Sequence, residues 1–126
     1  MSFKTPRGMA AGLGSAGTGT HHWWQHRVSS VALIPLTILV VMPFAQSLGE
    51  SRDAVLETYS NPFNAIVAVL FLAVMFHHLM QGLQVVIEDY VHQKGWRTAL
   101  LLGNQMMCGA FGFAGIFAVL KIAFTA

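Results

Sequence analysis

The apolar positions of the chain gather into three long runs, Val28 to Leu48, Pro62 to Ile87 and Thr98 to Phe124, with short polar stretches between them. Each run is at least as long as the roughly 20 residues a helix needs to cross about 30 Å of hydrocarbon. The pattern predicts an all-α membrane protein with three transmembrane helices, over about residues 28–48, 62–89 and 98–124. Pro35 and Pro43 fall inside the first run. In lipid, neighbours can satisfy the carbonyls that a proline frees, so one bent helix is expected there rather than two elements.

Composition fixes the solvent. Of 126 residues, 55% are hydrophobic and 10% charged, so the surface of this one small domain cannot be mostly polar. Residues 1–27 form a separate N-terminal segment ahead of the three-helix domain, 28–126. Its start, "MSFKTPRGMAAGLGSAGTGT", has two basic residues and no apolar core. It does not read as a cleaved signal peptide, so the first helix is expected to act as the insertion signal. The tail is expected to be irregular, lying along the membrane face or against a partner.

Basic residues set the orientation. Lys4, Arg7 and Arg27 precede the first helix and Lys94 and Arg97 follow the second, whereas the loop "GESRDAVLETYSN" has only Arg52 and the C-terminal end only Lys121. The positive-inside bias then places the N-terminus and the second loop in the cytoplasm. The net charge of +2 is explained by topology and implies no nucleic-acid partner. A single cysteine, Cys108 in the third run, excludes an intrachain disulfide and a cysteine-based metal cluster. The spacing of Gly109, Gly112 and Gly115 with Ala110, Ala114 and Ala118 is a close-packing signal.

The second run ends in "FHHLMQGLQVVIEDYVHQKGW", residues 76–96, a polar stretch for the middle and edge of a bilayer. At about 100° per residue, His78, Gly82, Val85 and Asp89 lie within roughly 60° of one another, and His77, Gln81, Gln84 and Glu88 form a second stripe about 100° round. Polar stripes at this depth are costly against lipid, and three helices have little interior in which to hide two of them, so membrane partners are expected. His78 lies 11 residues before Asp89, or about 16 Å along the axis, near the bilayer midplane. Either it is a neutral histidine bonded to a carbonyl across a helix interface, or it is an axial haem ligand, with Gly82 one turn on clearing room for a porphyrin edge. His77 points too far round to share the iron. His21, His22 and His26 are expected at the cytoplasmic surface, too far from His78 in depth to supply a second ligand, which would come from another chain. At the end of the helix, Tyr90 is either an aromatic belt residue or, with Asp89 and near Arg27, a hydrogen-bond donor at a quinone carbonyl.

The run His78-x-x-x-Gly82-x-x-x-x-x-x-Asp89-Tyr90 resembles the second-helix signature of the smaller hydrophobic membrane-anchor subunit, the D subunit, of succinate dehydrogenase, respiratory complex II, a cytochrome b family. The stretch "GLGSAGTGTHHWWQHRVSSVALIPL" is similar to the same family before its first helix, except that His26 rather than a glutamine directly precedes Arg27 and Gln25 stands one place earlier. The resemblance implies a heterodimeric helical bundle with a second anchor subunit, sharing a haem b whose axial ligand from this chain, and hence its metal contact, is His78. It implies that Asp89 and Tyr90 meet the ubiquinone headgroup and that Arg27 lies near the haem propionates and the quinone. It further implies an iron–sulfur subunit and a flavoprotein subunit that oxidises succinate, with no succinate chemistry on this chain, and a place in the bacterial plasma membrane in preference to the mitochondrial inner membrane. Two alternatives stay open: the anchor of a fumarate reductase, usually with menaquinone, and a haem-free membrane scaffold or transporter subunit.

Overall fold

The computed structural model describes residues 5–11 and 19–125. A short helix, α1 (Pro6–Ala11), precedes a long α2 (Gly19–Ser47), a short α3 (Arg52–Ser60), and long helices α4 (Pro62–Tyr90) and α5 (Lys94–Thr125). No strand occurs among the described residues. The three long helices, of 29, 29 and 32 residues, are each apolar and long enough to cross a membrane. The tail expected to be irregular instead holds the helical turns of α1, and its residues 1–4 and 12–18 lie outside the described residues.

The α2 helix begins at Gly19, nine residues before the apolar run, so "GTHHWWQHR" is helical. The reason is tertiary. Polar side chains of these extra turns find partners on α4: Gln81 Nε2 donates to Gln25 Oε1 at 3.4 Å, and the His26 ring is stacked on that of His78 with centroids 4.3 Å apart. Partners of this kind stabilise a polar helix surface inside a membrane, and hydropathy alone does not register them. Pro35 and Pro43 both lie within α2, which remains a single element.

Sharp chain reversals have local causes. After Ser47 the chain turns through Gly49, whose φ of 86° favours glycine. The loop expected between the first two long helices contains α3, whose N-cap Ser51 accepts a bond from the Ala54 amide at 3.3 Å and whose first turn carries Asp53. Asn61 then ends α3 and caps α4, accepting from the Phe63 amide at 2.9 Å, with Pro62 in the first turn where its missing N–H costs nothing. Asn64 Nδ2 donates to the Thr58 carbonyl at 2.9 Å and ties the two helices together at this corner.

Helix α4 is the centre of the bundle, packed antiparallel against α2 on one side and α5 on the other. On the α5 side, Gly112 and Gly115 let the backbones approach: a Cβ at Gly112 would lie 3.3 Å from Phe76 and one at Gly115 3.3 Å from Leu72. Gly109, the third glycine of the predicted stripe, meets nothing within 4 Å and takes no part in this contact. Higher along the same seam, buried Asn104 donates from Nδ2 to the Met80 carbonyl at 2.9 Å and accepts from the buried Cys108 thiol at 3.4 Å. The outer faces remain apolar and exposed, with Val31, Ile34 and Ile38 on α2 and Phe113 and Phe117 on α5. Such faces belong against lipid or membrane partners.

Candidate functional site

The polar face of α4 meets the extended start of α2. His78, half-buried, sits between two elements of that start: its Nδ1 is 2.9 Å from Ser29 Oγ, and its ring is stacked on that of His26 with centroids 4.3 Å apart and planes 28° from parallel. Ser29 is buried, and its hydroxyl donates back to the His26 carbonyl at 2.9 Å, as does that of Ser30 at 2.9 Å. His78 is therefore bonded across the helix interface through a hydroxyl rather than a carbonyl. Among the described residues no hydrogen bond engages its other nitrogen, Nε2.

His26 is thus close to His78, contrary to the expectation from depth, because α2 starts earlier than its apolar run. The pair still cannot serve as opposite axial ligands. Axial imidazoles approach an iron edge-on from the two faces of a porphyrin, whereas these rings lie face to face.

A groove of about 330 Å³ runs beside the pair, lined by Gly19, His22, Trp23, His26, Arg27, Gly82 and Val85. Gly82 and Val85 belong to the same α4 stripe as His78 and Asp89. A Cβ at Gly82 would point into this groove and meet only His26 Nε2, at 3.9 Å. Nothing among the described residues requires a glycine there, and its use fits a flat group approaching the helix closely. Two further features of the groove suit an anionic, partly apolar ligand. Arg27 is held with its guanidinium carbon 5.5 Å from the centre of the Trp23 ring, a cation–π arrangement that leaves the charge free for a second partner. His22 Nε2 is buried and finds no hydrogen-bond partner among the described residues. The sequence did not single out Ser29, and it placed His22 only at the cytoplasmic surface. Only the pairing of α2 with α4 gives them a role.

The second α4 stripe is divided between both neighbours. Gln81 is buried against Gln25 of α2, with its Oε1 unpartnered among the described residues. Gln84 donates to Glu88 at 2.9 Å and borders a small cleft of about 250 Å³ with Asn104 and Gln105 of α5. His77 is exposed and lines a different groove, of about 440 Å³, with Trp24, Val28 and Ala32. Adjacent in sequence, the two histidines therefore face different surroundings.

Asp89 and Tyr90 occupy the last positions of α4, where Val91 caps the helix with its amide bonded to the Ile87 carbonyl at 3.0 Å. Both are exposed, Tyr90 to 79%. They do not line the groove beside Gly82, and within this chain neither is bonded to Arg27. Among the described residues no three His, Cys, Asp or Glu side chains converge as ligands for a bare metal ion.

Residues 1–119 match a family of succinate dehydrogenase/fumarate reductase transmembrane subunits. The chain belongs to that family. It is 36% identical over 122 residues to the succinate dehydrogenase hydrophobic membrane anchor subunit of Paracoccus denitrificans, covering 97% of this chain and 94% of that protein. It is 29% identical over 107 residues to the subunit of the same name from Rickettsia conorii, covering 84% and 85% of the two chains. With the succinate dehydrogenase membrane anchor subunit of Reclinomonas americana it shares 28% identity over 83 residues, 64% of this chain and 69% of that one. No solved structure matches the chain. The His-Gly-Asp-Tyr stripe, α2 and α4 lie within the part matched to the succinate dehydrogenase/fumarate reductase transmembrane subunits, which also takes in α5 as far as residue 119.

Proposed function

We propose that the chain is the smaller membrane anchor of a succinate:ubiquinone oxidoreductase, in which it binds a haem b together with a second anchor subunit and forms part of the site where quinone is reduced. The observation that carries this reading is the state of His78: a half-buried imidazole at mid-helix, held at one nitrogen by Ser29, with a glycine-floored groove beside it. A neutral histidine so held can offer its second nitrogen to iron.

When bound, a haem b supplies a site that takes up and returns one electron within the bilayer. The chain's own residues do the rest. His78 Nε2 would hold the iron from one face, and the absence of a side chain at Gly82 would admit the ring edge. Arg27 and the N–H donors of His22 and His26 would bind the propionates at the membrane surface. A residue of the companion anchor would supply a second ligand.

At the end of α4, Tyr90 would donate its phenolic hydrogen to a quinone carbonyl oxygen and Asp89 would shape the pocket and relay protons from water. Twelve residues separate Tyr90 from His78, about 18 Å along the axis, so the headgroup lies between the soluble electron donor and the haem edge. The exposure of both side chains in this chain implies that the pocket walls come from the companion anchor and the iron–sulfur subunit. The flavoprotein subunit oxidises succinate and its electrons reach the quinone through the iron–sulfur subunit; this chain touches no succinate. The Paracoccus and Rickettsia relatives favour the bacterial plasma membrane, and the basic residues favour an N-terminus in the cytoplasm.

Purification of the intact complex on a tag carried by this chain tests the reading. The expected result is co-purification of a flavoprotein, an iron–sulfur protein and a second anchor, a low-spin b-type haem, and reduction of ubiquinone by succinate. Preferential fumarate reduction with menaquinone would move the chain to the fumarate reductases of the family, and a haem-free complex would make it a scaffold.

A further inference from the structure

We propose that Ser29 is the positioning residue of the haem ligand: its hydroxyl accepts a hydrogen bond from His78 Nδ1, which keeps the proton on that nitrogen, fixes the plane of the imidazole, and presents Nε2 as the donor to iron. The inference rests on the haem reading given above and adds a residue that neither the sequence motif nor the family match points to.

The direction of the bond follows from counting hydrogens. A serine hydroxyl carries one hydrogen and a carbonyl oxygen none. The Ser29 hydroxyl is within 2.9 Å of two groups, the His26 carbonyl oxygen and His78 Nδ1. The bond to the carbonyl uses the only hydrogen that Ser29 has. The contact to His78 is then a hydrogen bond only if Nδ1 carries the proton and Ser29 accepts it. A neutral imidazole protonated at Nδ1 has its lone pair on Nε2, which is the state a metal ligand requires.

The hydroxyl is itself rigid. Ser29 is 7% exposed, its donor bond is made to its own helix, three residues back, and the helix continues on both sides of it. His26 covers one face of the His78 ring at 4.3 Å. One contact therefore fixes the rotation of the imidazole about its own axis and the other fixes its tilt, so the ring plane is defined before any ligand arrives. The inward bond also makes His78 a stronger donor to the ferric state than an imidazole with a free Nδ1–H, which lowers the potential of the haem.

The experiment compares Ser29→Ala, Ser29→Thr and Ser29→Val in the purified holo-complex. Three quantities are read: haem content, the largest g value of the ferric low-spin signal, which reports the orientation of the axial imidazole planes, and the haem midpoint potential. Threonine keeps a hydroxyl that can bond back into its own helix; valine has nearly its shape without the hydroxyl. The expected result is a wild-type signal and potential in Ser29→Thr, with a displaced g value and a raised potential in Ser29→Ala and Ser29→Val. Loss of haem from the valine variant and not from the threonine variant supports the same role. A valine variant with the wild-type g value and potential overturns it, since side-chain volume alone would then suffice. A wild-type complex without haem overturns the ligand role of His78 and this inference with it, an outcome distinct from unshifted variants in a haem-containing complex.

Discussion

The imidazole of His26 lies over that of His78 at 4.3 Å, one from the polar start of α2 and the other from the middle of α4. The stack shows that the polar end of the first long helix is packed against the centre of the second. It brings Arg27, on the next residue of α2, to the groove that Gly82 opens on α4.

Removing the Tyr90 hydroxyl tests its proposed role at the quinone apart from everything upstream of it. In Tyr90→Phe the ring and its place at the membrane surface are kept. Quinone reduction should fall severalfold or more, while succinate oxidation with a soluble electron acceptor and the haem content stay unchanged. Steady-state assays with the two acceptors check this, and unimpaired quinone reduction would return Tyr90 to the ordinary tyrosines of a membrane belt.

Much of the fold was legible because membrane helices must satisfy their own backbones, so three apolar runs of sufficient length leave little choice. The phase of His78 with Gly82 was legible for the same reason: a helix once granted fixes which residues share a face. The start of α2 at Gly19 was not, since residues 19–27 are stabilised by the bond of Gln25 to Gln81 and the stack of His26 on His78, about 50 positions away, and hydropathy carries no information on such pairs. Ser29 was hidden in the same way. The α3 helix did leave signals in its loop, Ser51 ahead of Asp53 and the Asn61-Pro62 pair, which are cap residues. Gly109 could not be told from Gly112 by spacing, because only the rotation of α5 against α4 decides which glycines meet Phe76 and Leu72.

Topology is tested by labelling. Cysteines placed at Ser51 and at Lys94 should react with an impermeant reagent from opposite sides of the membrane, Lys94 from the cytoplasm. Both positions are exposed, and the native Cys108, at 3% exposure, should not react. Labelling of both from one side would contradict the three-span arrangement.

The seam between α4 and α5 predicts unequal glycines. Gly112→Val would force a side chain against Phe76, already 3.3 Å from where its Cβ would stand, and should cost about 1–3 kcal/mol by overpacking. Gly109→Val should cost far less within this chain. Unfolding midpoints of the two variants in detergent check the difference.

Asn104 predicts a smaller loss. Asn104→Leu removes the bond to the Met80 carbonyl and the acceptor of the Cys108 thiol, and interhelical bonds of this kind in membranes contribute about 0.6 kcal/mol and up to about 1.7 kcal/mol. The same unfolding assay should register a loss in that range, with the haem spectrum unchanged because the bond lies on the opposite side of α4 from Ser29.

Haem ligation by His78 is tested most directly by the reduced-minus-oxidised visible spectrum of the purified complex carrying His78→Leu, set beside that of His77→Leu. His78 is tied to Ser29 and stacked on His26, and His77 lines a separate groove with Trp24 and Val28. The predicted result is loss or strong perturbation of the low-spin b-type signal in His78→Leu and a wild-type signal in His77→Leu. An equal loss in both variants, or an intact signal in His78→Leu, would contradict the assignment of His78 as the haem ligand.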